Sequence, residues 1–267
     1  MNVSGNLRKM RTSFQSGNEV QYFLNTEDGE INLNDFIEKP FTMHFEGRIN
    51  CVACGRLTSK AFGQGFCYPC FKNSPMNSEC IIRPELCEAH LGKGRDVEWE
   101  KKNHLQPHVV YLAASSGVKV GVTRNDQIPT RWIDQGASRA LVLAETEYRQ
   151  QAGLIEVALK DFISDKTNWQ RMLKNEQTDA DLFDLRDEMA NNLPTELQSF
   201  VAQNAQEWEI KYPVVAYPTK VKSINLTKTP DVTATLLGIK GQYLIFDNNQ
   251  VFNVRNNSGL FVDLKLA

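Results

Sequence analysis

The sequence lacks the long apolar segments of membrane and secreted proteins. None of its 267 residues lie in an apolar run of about 18 residues, the length needed for a membrane-spanning helix. The first residues, MNVSGNLRKMRTSF, also lack the apolar stretch of a signal peptide. We therefore expect a soluble, cytoplasmic protein without a membrane partner.

An excess of positive charge is also missing. The chain has 30 Lys and Arg against 32 Asp and Glu, which gives a net charge of -2. This balance excludes a global basic field, so binding of DNA or RNA would depend on local patches. One candidate patch comprises Lys220, Lys222 and Lys228 on a predicted strand, with Tyr243 and Phe246 available to stack on bases. The alternative is that these two aromatic residues belong to the core.

Cysteine is absent outside one short segment. All six cysteines lie between Cys51 and Cys87, and such clustering in a reducing compartment indicates a metal site rather than disulfides. The pairs Cys51-x2-Cys54 and Cys67-x2-Cys70 are separated by twelve residues. Four thiolates at this spacing predict a closed, structural zinc ribbon. Free buried cysteines and redox-active pairs are the alternatives.

A second zinc site is predicted downstream. Cys87-x2-His90 can chelate a metal as a CxxC pair does, and Cys80 with His104 would complete a set of two cysteines and two histidines. His108 competes with His104 as the fourth ligand. The surrounding segment has almost no apolar periodicity, so we expect it to need a metal in order to fold.

The length of the chain predicts more than one core. We expect an α+β protein in which the N-terminal strands, too few to be stable alone, join the C-terminal strands in a small β-barrel-like unit formed by the chain ends. The predicted divisions are an N-terminal β unit (1–50), a zinc-binding region (51–107), a mixed α/β domain (108–175), a helical spacer (176–212) and a C-terminal β unit (213–267).

The mixed α/β domain begins with a predicted hairpin. Residues 109–124 form two β-branched runs joined by Ser115-Ser116-Gly117, which is typical of a β-hairpin. Gly121 lies inside the second run. It marks either a bulge or a bare stretch of backbone that another group approaches closely.

Further elements follow the hairpin. Pro129 can open a short helix that carries Arg131, and residues 138–149 alternate as a third strand. Residues 153–163 have apolar side chains at helical spacing, with Glu156 near the border of the apolar stripe. Two acidic helices are then predicted, the first over 175–193 and the second over 194–212.

This order of motifs resembles the GIY-YIG nuclease superfamily over residues 108–170. Val109-Val110-Tyr111 stands at the position of the first triplet, and Lys119-Val120-Gly121 stands at the position of the second. Lys119 replaces the second tyrosine, as in a branch of the superfamily with a K-[IV]-G-x-T motif. The resemblance implies a GIY-YIG-like small mixed α/β domain, here with the zinc ribbon as an insertion.

The resemblance also implies a set of site residues. Arg131 matches the arginine of the superfamily, Glu156 its metal-binding glutamate and Asn168 a supporting asparagine. The implied activity is cleavage of DNA or RNA with Mg²⁺ or Mn²⁺ at Glu156 and with Arg131 bracing the phosphate. Tyr111 would orient or deprotonate the attacking water, with Lys119 lowering the pKa of Tyr111.

Two alternatives to a nuclease follow from the sequence. Many members of the superfamily have His or Tyr where Gln135 stands, so this residue and Lys119 favour a nucleic-acid-binding or regulatory zinc protein without catalysis. The acidic helices favour a zinc-dependent scaffold for protein partners, which the sequence does not identify. The whole chain also resembles an uncharacterised bacterial family with only a domain-of-unknown-function label, and this resemblance implies no activity.

Overall fold

A computed structural model of the protein describes residues 1–163 and 168–267. The strands are β1 (Asn2–Asn6), β2 (Arg11–Ser13), β3 (Gln21–Thr26), β4 (Gly29–Asn32), β5 (Pro40–Ile49), β6 (His108–Ala114), β7 (Val118–Arg124), β8 (Arg139–Thr146), β9 (Trp208–Glu209), β10 (Lys222–Ser223), β11 (Asp231–Lys240), β12 (Tyr243–Phe246), β13 (Gln250–Asn253) and β14 (Leu260–Leu266). The α-helices are α1 (Tyr68–Asn73), α2 (Val97–His104), α3 (Thr130–Asp134), α4 (Arg149–Leu159), α5 (Trp169–Leu173) and α6 (Leu182–Asn192).

The chain divides into two compact units. Unit 1 combines Met1–Lys72 with Lys211–Ala267, and unit 2 is the continuous segment Asn73–Ile210. The protein is therefore of mixed α+β class with several sheets. Within residues 1–163 and 168–267, no helix has both the length and the apolar character required to cross a membrane.

Unit 1 is built on a seven-stranded sheet with the order β1-β14-β5-β11-β12-β13-β10. The first and last strands of the chain, β1 and β14, pair antiparallel with Asn2 opposite Lys265. The predicted pairing of the chain ends is therefore confirmed. A second sheet, β2-β3-β4, completes the strands of the N-terminal segment. Alternate residues of β5, including Phe41, Met43 and Phe45, are buried, as the period of two in its sequence requires.

The predicted β-barrel is wrong. The seven strands form an open order with β1 at one edge and β10 at the other, and no closed barrel occurs among the residues described. Barrel closure needs both edge strands to pair along their length, but β10 contains two residues only, Lys222–Ser223. Pro218 and Pro230 lie on either side of β10, and neither has a backbone N–H to donate to a ladder.

The aromatic residues proposed for base stacking lie mostly inside unit 1. Phe246 is 1% exposed and its ring packs against Phe41, with 5.6 Å between the centroids. Tyr243 is half-buried. Phe246 therefore belongs to the core, whereas Lys220 is exposed, as is Lys228.

Unit 2 is built on an antiparallel sheet with the order β7-β6-β8-β9. The predicted hairpin is confirmed as β6 and β7, and the third predicted strand as β8. Val110 and Leu112 of β6 belong to a core with Ile155 and Leu159 of α4 and Leu182 of α6. Tyr111 alternates with these residues along β6 and therefore belongs to the opposite face.

The first predicted acidic helix is confirmed as α6, but the second is wrong. Asp181 caps α6 by accepting hydrogen bonds from the backbone N–H groups of Phe183 and Asp184. After Pro194 the chain makes only a 3₁₀ turn, Thr195–Phe200, and then follows β8. The backbone N–H of Ala202 donates to the Leu143 carbonyl of β8, and β9 pairs with β8. The open edge of β8 offers backbone partners that outweigh helix propensity.

The segment between the first cysteine cluster and the hairpin also differs from expectation. It contains several 3₁₀ turns and the helix α2, which the weak apolar periodicity did not predict. Asp96 begins this helix by accepting a hydrogen bond from the Trp99 backbone N–H. Glu100 and His104 follow one turn apart, so both lie on the same side of α2.

Candidate catalytic centre and metal sites

Tyr111 and Gly121 form the pair on which the candidate centre in unit 2 is built. They lie directly opposite each other in β6 and β7, so their side-chain positions share one face of the sheet. A Cβ on Gly121 would lie 2.6 Å from the Tyr111 hydroxyl oxygen, which is closer than Cβ contacts in proteins. The group that approaches the bare backbone of Gly121 is therefore the Tyr111 ring.

The Tyr111 hydroxyl connects the sheet to the residue that follows α3. It donates a hydrogen bond of 2.8 Å to Oε1 of Gln135, which directly follows α3. Burial raises the pKa of Tyr111, whereas the nearby Arg131 guanidinium opposes this change and the Glu156 carboxylate adds to it. Tyr111 is fully buried. It is therefore a neutral phenol at pH 7 and is better suited to positioning its neighbours than to removing a proton from water.

Helix α3 holds Arg131 and Gln135 beside the sheet. Its anchor is Trp132, which is fully buried and lies edge-on to both Tyr111 and Trp208, with centroid distances of 6.0 and 5.9 Å. The predicted start of this helix at Pro129 is confirmed. Since Arg131 and Gln135 are four residues apart, one helix turn presents both on the same side.

Helix α4 supplies Glu156. Ala152, Ile155 and Leu159 are fully buried in the core of unit 2. The predicted amphipathic helix is confirmed with different bounds, Arg149–Leu159 instead of 153–163. Glu156 lies next to this buried stripe and is half-buried. The negative charge of its carboxylate adds to the rise in the pKa of Tyr111.

Arg149 is a site residue that the sequence did not reveal. Its Nε and Nη2 donate to the Cys80 carbonyl at 3.0 and 2.9 Å, and Nη2 also donates to the Ile81 carbonyl at 3.0 Å. Burial lowers the pKa of Arg149, whereas Cys80, Cys87 and Glu156 raise it. Arg149 thus binds the turn that carries Cys80, and the charge of Glu156 on the same helix acts on its pKa. The only signal in the sequence is its position at the start of a helix, where a cation is unfavourable to the helix dipole.

The two remaining predicted site residues differ in their placement. Lys119 is 8% exposed and lies opposite Ala113, two residues from Gly121 and on the same face of the sheet. Asn168 is exposed and begins α5, where its side chain accepts a hydrogen bond from the Arg171 backbone N–H at 3.1 Å. The structure therefore gives Asn168 a helix-capping contact. The residues just before it, 164–167, lie outside the described part of the chain.

The first cysteine cluster lies in unit 1 and could hold a zinc ion. The four Sγ atoms of Cys51, Cys54, Cys67 and Cys70 all lie within 4.8 Å of one another. The first pair lies on a tight turn in which Gly55, at φ +72°, donates to the Cys51 carbonyl at 2.9 Å. The second pair lies where α1 begins. Four thiols from two turns match the tetrahedral donor set of a structural zinc site.

The pKa values of these thiols differ because the four sulfur atoms lie close together. Burial opposes ionisation of Cys51, but backbone hydrogen bonds from Cys67 and Cys54 outweigh it and lower its pKa to about 6. The neighbouring thiols, Cys67 first, raise the pKa of Cys70 to about 12. Without a cation, one thiolate therefore suppresses the ionisation of another at such short distance.

The second cysteine cluster lies in unit 2 and differs from the predicted ligand set. It comprises Cys80, Cys87, Glu100 and His104, with one ligand atom of each within 4.8 Å of the others. Cys80, Cys87 and His104 were predicted as ligands. Glu100 replaces His90 as the fourth member of the set. Hydrogen bonding to Cys87 lowers the pKa of Cys80 to about 4, and the same contact raises the pKa of Cys87.

The other two histidines of unit 2 have separate environments. The His90 ring stacks on Tyr148 with 4.9 Å between centroids and an angle of 17°. His108 lies 2.7 Å from the Gln106 carbonyl through Nδ1 and is fully buried. Burial lowers the pKa of His108 to about 4, so its ring is uncharged at neutral pH. His104, rather than His108, is the histidine in the cluster.

The sequence profile of one protein family, described as a protein of unknown function (DUF2797), matches residues 38–262 of the chain. The chain belongs to the DUF2797 family. No curated protein and no solved structure matches it. The expected relationship to a family with only a domain-of-unknown-function label is thereby confirmed.

The match to DUF2797 spans both cysteine clusters and every residue of the candidate centre. Membership assigns no activity, so the resemblance to GIY-YIG nucleases stays a prediction. Of the predicted residues, Tyr111 contacts Gln135 through its hydroxyl, and the charges of Arg131 and Glu156 act on the pKa of Tyr111.

Proposed function

We propose that this DUF2797 protein cleaves phosphodiester bonds of DNA or RNA at a centre formed by Arg131 and Glu156. The observation that supports the proposal is the hydrogen bond from the Tyr111 hydroxyl to Gln135, four residues after Arg131, together with the charge effects of Arg131 and Glu156 on the pKa of Tyr111. An arginine next to a carboxylate is suited to phosphoryl chemistry. The guanidinium binds phosphate oxygens, while the carboxylate can hold a divalent cation.

The donor chemistry of the centre fits Mg²⁺ or Mn²⁺. Mg²⁺ commonly takes one or two protein carboxylates and completes its shell with water and substrate phosphate oxygens, and Glu156 is a half-buried carboxylate of this kind. When bound, such a cation stabilises charge on the phosphate and on the leaving oxygen. Glu156 is the residue that would hold it.

The chain's own side chains have separate roles in this proposal. Arg131 binds the nonbridging phosphate oxygens and stabilises the negative charge that develops in the transition state. Gln135 directs its amide group toward the substrate because the Tyr111 hydroxyl holds Oε1 at 2.8 Å. Tyr111 is therefore a positioning residue. Lys119, on the same face of the sheet, adds positive charge for the phosphate backbone.

The test is a cleavage assay on labelled single- and double-stranded DNA and RNA with Mg²⁺ or Mn²⁺. We expect Glu156→Gln and Arg131→Ala each to reduce the rate by about 10²- to 10³-fold, the usual effect of removing one group that stabilises transition-state charge. Glu145→Gln is the matched control, because Glu145 is an exposed carboxylate on β8 of the same unit. Equal rates for Glu156→Gln and Glu145→Gln would overturn the assignment.

A nucleic-acid-binding protein without catalysis is the second candidate function. The complete burial of Tyr111 favours it, because a nuclease of the resembled superfamily would use this hydroxyl near the attacking water. Under this alternative Arg131 and Lys119 bind phosphate, and no metal-dependent cleavage occurs. Binding that weakens with salt and with Arg131→Ala, but without cleavage of any substrate in the panel, would favour this second function.

A further inference from the structure

The second cysteine cluster brings four potential metal ligands together in the interior of unit 2. All four side chains are nearly inaccessible, with residue exposures of 9% for Cys80, 2% for Cys87, 2% for Glu100 and 3% for His104. Cys80 lies in a 3₁₀ turn, Cys87 directly follows another, and the other two residues belong to α2. Burial of a carboxylate next to two thiols is costly unless a cation compensates for it.

The contacts of the His104 ring decide the role of Glu100. Nδ1 of His104 lies 3.8 Å from Sγ of Cys80 and 3.5 Å from Sγ of Cys87. The Glu100 carboxylate contacts the same Nδ1 atom. A carboxylate that only orients a metal-bound histidine contacts the other ring nitrogen. Glu100 therefore points to the position between the two sulfur atoms and Nδ1, where a metal ligand would point.

The structure assigns Cys80, Cys87, Glu100 and His104 as the ligands of a second zinc ion, with Nδ1 as the histidine donor. Two sulfur atoms, one nitrogen and one carboxylate oxygen fill the four positions of a tetrahedral zinc ion, so the site is closed and structural. This assignment replaces His90, which stacks on Tyr148 instead. It does not rest on the proposed nuclease activity.

Arg149 fits the role of counter-charge to this site. Two thiolates and one carboxylate carry three negative charges, and a zinc ion reduces the total to one. The guanidinium of Arg149 donates two hydrogen bonds to the Cys80 carbonyl and one to the Ile81 carbonyl. The remaining negative charge is thus balanced by a cation that also holds the turn in which Cys80 lies.

The zinc site is also packed directly against the helix that carries Glu156. A Cβ on Gly153 of α4 would lie 2.2 Å from the Glu85 backbone nitrogen and 2.4 Å from the Pro84 carbonyl carbon. The turn Pro84–Leu86 lies immediately before Cys87. Zinc binding at this cluster would therefore fix the backbone on which the start of α4 rests.

Zinc content of the full-length protein tests the assignment. We expect about two zinc ions per chain in the wild type, about one in Glu100→Gln and about two in the matched control His90→Gln. Each variant keeps the first cysteine cluster, so a folded sample retains at least one ion. Loss of zinc from His90→Gln together with about two ions in Glu100→Gln would overturn the assignment.

X-ray absorption at the zinc edge gives a test that needs no variant. We expect the wild type to show one imidazole ligand for every two zinc ions, because the first cluster has no histidine and the second has one. A second site made of two cysteines and two histidines would show two imidazoles for every two ions, and this result would overturn the proposal. Neither measurement depends on cleavage of nucleic acid, so failure of the proposed activity leaves this test intact.

Discussion

At the scale of single residues, Gly121 is needed because of its neighbour across the hairpin. The Tyr111 ring occupies the space where a side chain at Gly121 would lie. The same ring carries the hydroxyl that contacts Gln135. The absence of a Cβ on β7 therefore allows the polar group of β6 to reach helix α3.

Gly121→Ala should destabilise unit 2 by about 1–3 kcal/mol, because the added methyl group overpacks the site against Tyr111. Tryptophan fluorescence during urea unfolding measures this, since all four tryptophans, at 99, 132, 169 and 208, belong to unit 2.

The control is Gly117→Ala in the hairpin turn, where a Cβ would have no atom within 4 Å. This variant should change the free energy of unfolding by less than about 0.5 kcal/mol. Equal effects of the two substitutions would contradict the steric explanation.

Lys240 is a buried cation in unit 1. It is 1% exposed, and its ammonium lies 5.3 Å from the Tyr212 ring centroid and 5.4 Å from that of Tyr217. Burial lowers the pKa of Lys240 from 10.5 to about 8. Between these two values the unfolded chain holds more protons at this position than the folded chain does.

The free energy of unfolding should therefore rise with pH between about 8 and 10.5 through Lys240. This difference in pKa between the folded and unfolded chain changes the free energy of unfolding by roughly 3 kcal/mol across that pH range. Urea unfolding followed by circular dichroism at several pH values measures the slope. Lys240→Met should remove this part of the slope, and the same slope in both proteins would refute the prediction.

At the scale of elements, helix α4 connects the candidate centre with the second cysteine cluster. Its first residue, Arg149, binds the Cys80 and Ile81 carbonyls, and Glu156, two turns further along the helix, acts on the pKa of Tyr111 through its charge. The glycine between them allows the backbone of the turn before Cys87 to pack against the helix. One helix thus holds the turn of the cluster and presents the carboxylate.

Arg149→Lys should destabilise unit 2 by about 1–3 kcal/mol, because lysine lacks the planar set of donors that binds both carbonyls. Tryptophan fluorescence again measures unfolding. Arg171→Lys is the matched control, since Arg171 is an exposed arginine paired with Glu176, and its replacement should have little effect. A larger loss in Arg171→Lys would show that the two carbonyl contacts do not stabilise the helix.

At the scale of the whole molecule, each unit contains one cluster of potential zinc ligands. The four-cysteine cluster, Cys51 to Cys70, belongs to unit 1, and the cluster that includes Glu100 belongs to unit 2. Unit 1 contains the paired chain ends, whereas unit 2 is one continuous segment. A measurement that separates the two units can therefore assign each zinc ion.

Cys67→Ser should reduce the zinc content by about one ion per chain and destabilise unit 1 by several kcal/mol, since structural zinc contributes about 10–16 kcal/mol in zinc-finger peptides. Circular dichroism should show the lower stability, while tryptophan fluorescence follows unit 2. Unchanged zinc content in Cys67→Ser would contradict the presence of a zinc site with four cysteine ligands.

Local patterns in the sequence were sufficient for several elements. The β-branched runs around Ser115-Ser116-Gly117 predicted β6 and β7, and the apolar spacing after Gly153 predicted α4. The two CxxC pairs predicted the four-cysteine cluster. In each case residues close in the chain carry the signal, because hairpin turns, helix faces and chelating pairs form between near neighbours.

Other features depended on partners that are distant in the chain. The segment after Pro194 has a helix-like sequence, but it follows β8 because that strand offers an open edge. Glu100 was missed as a ligand because its spacing from Cys87 matches no zinc motif. Two signals in the sequence could have revealed Glu100. Asp96 is a typical helix cap, and in the helix that it begins Glu100 and His104 lie one turn apart.

The sequence by itself determined the four-cysteine cluster, the hairpin and the order of the elements that carry Tyr111, Arg131 and Glu156. Only the tertiary structure decided that the sheet of unit 1 stays open, that Tyr111 is buried against Gly121, and that Arg149 joins the second cluster to α4. The physical reason is that burial and long-range hydrogen bonds depend on which elements pack together. Short-range periodicity fixes the elements but not their partners.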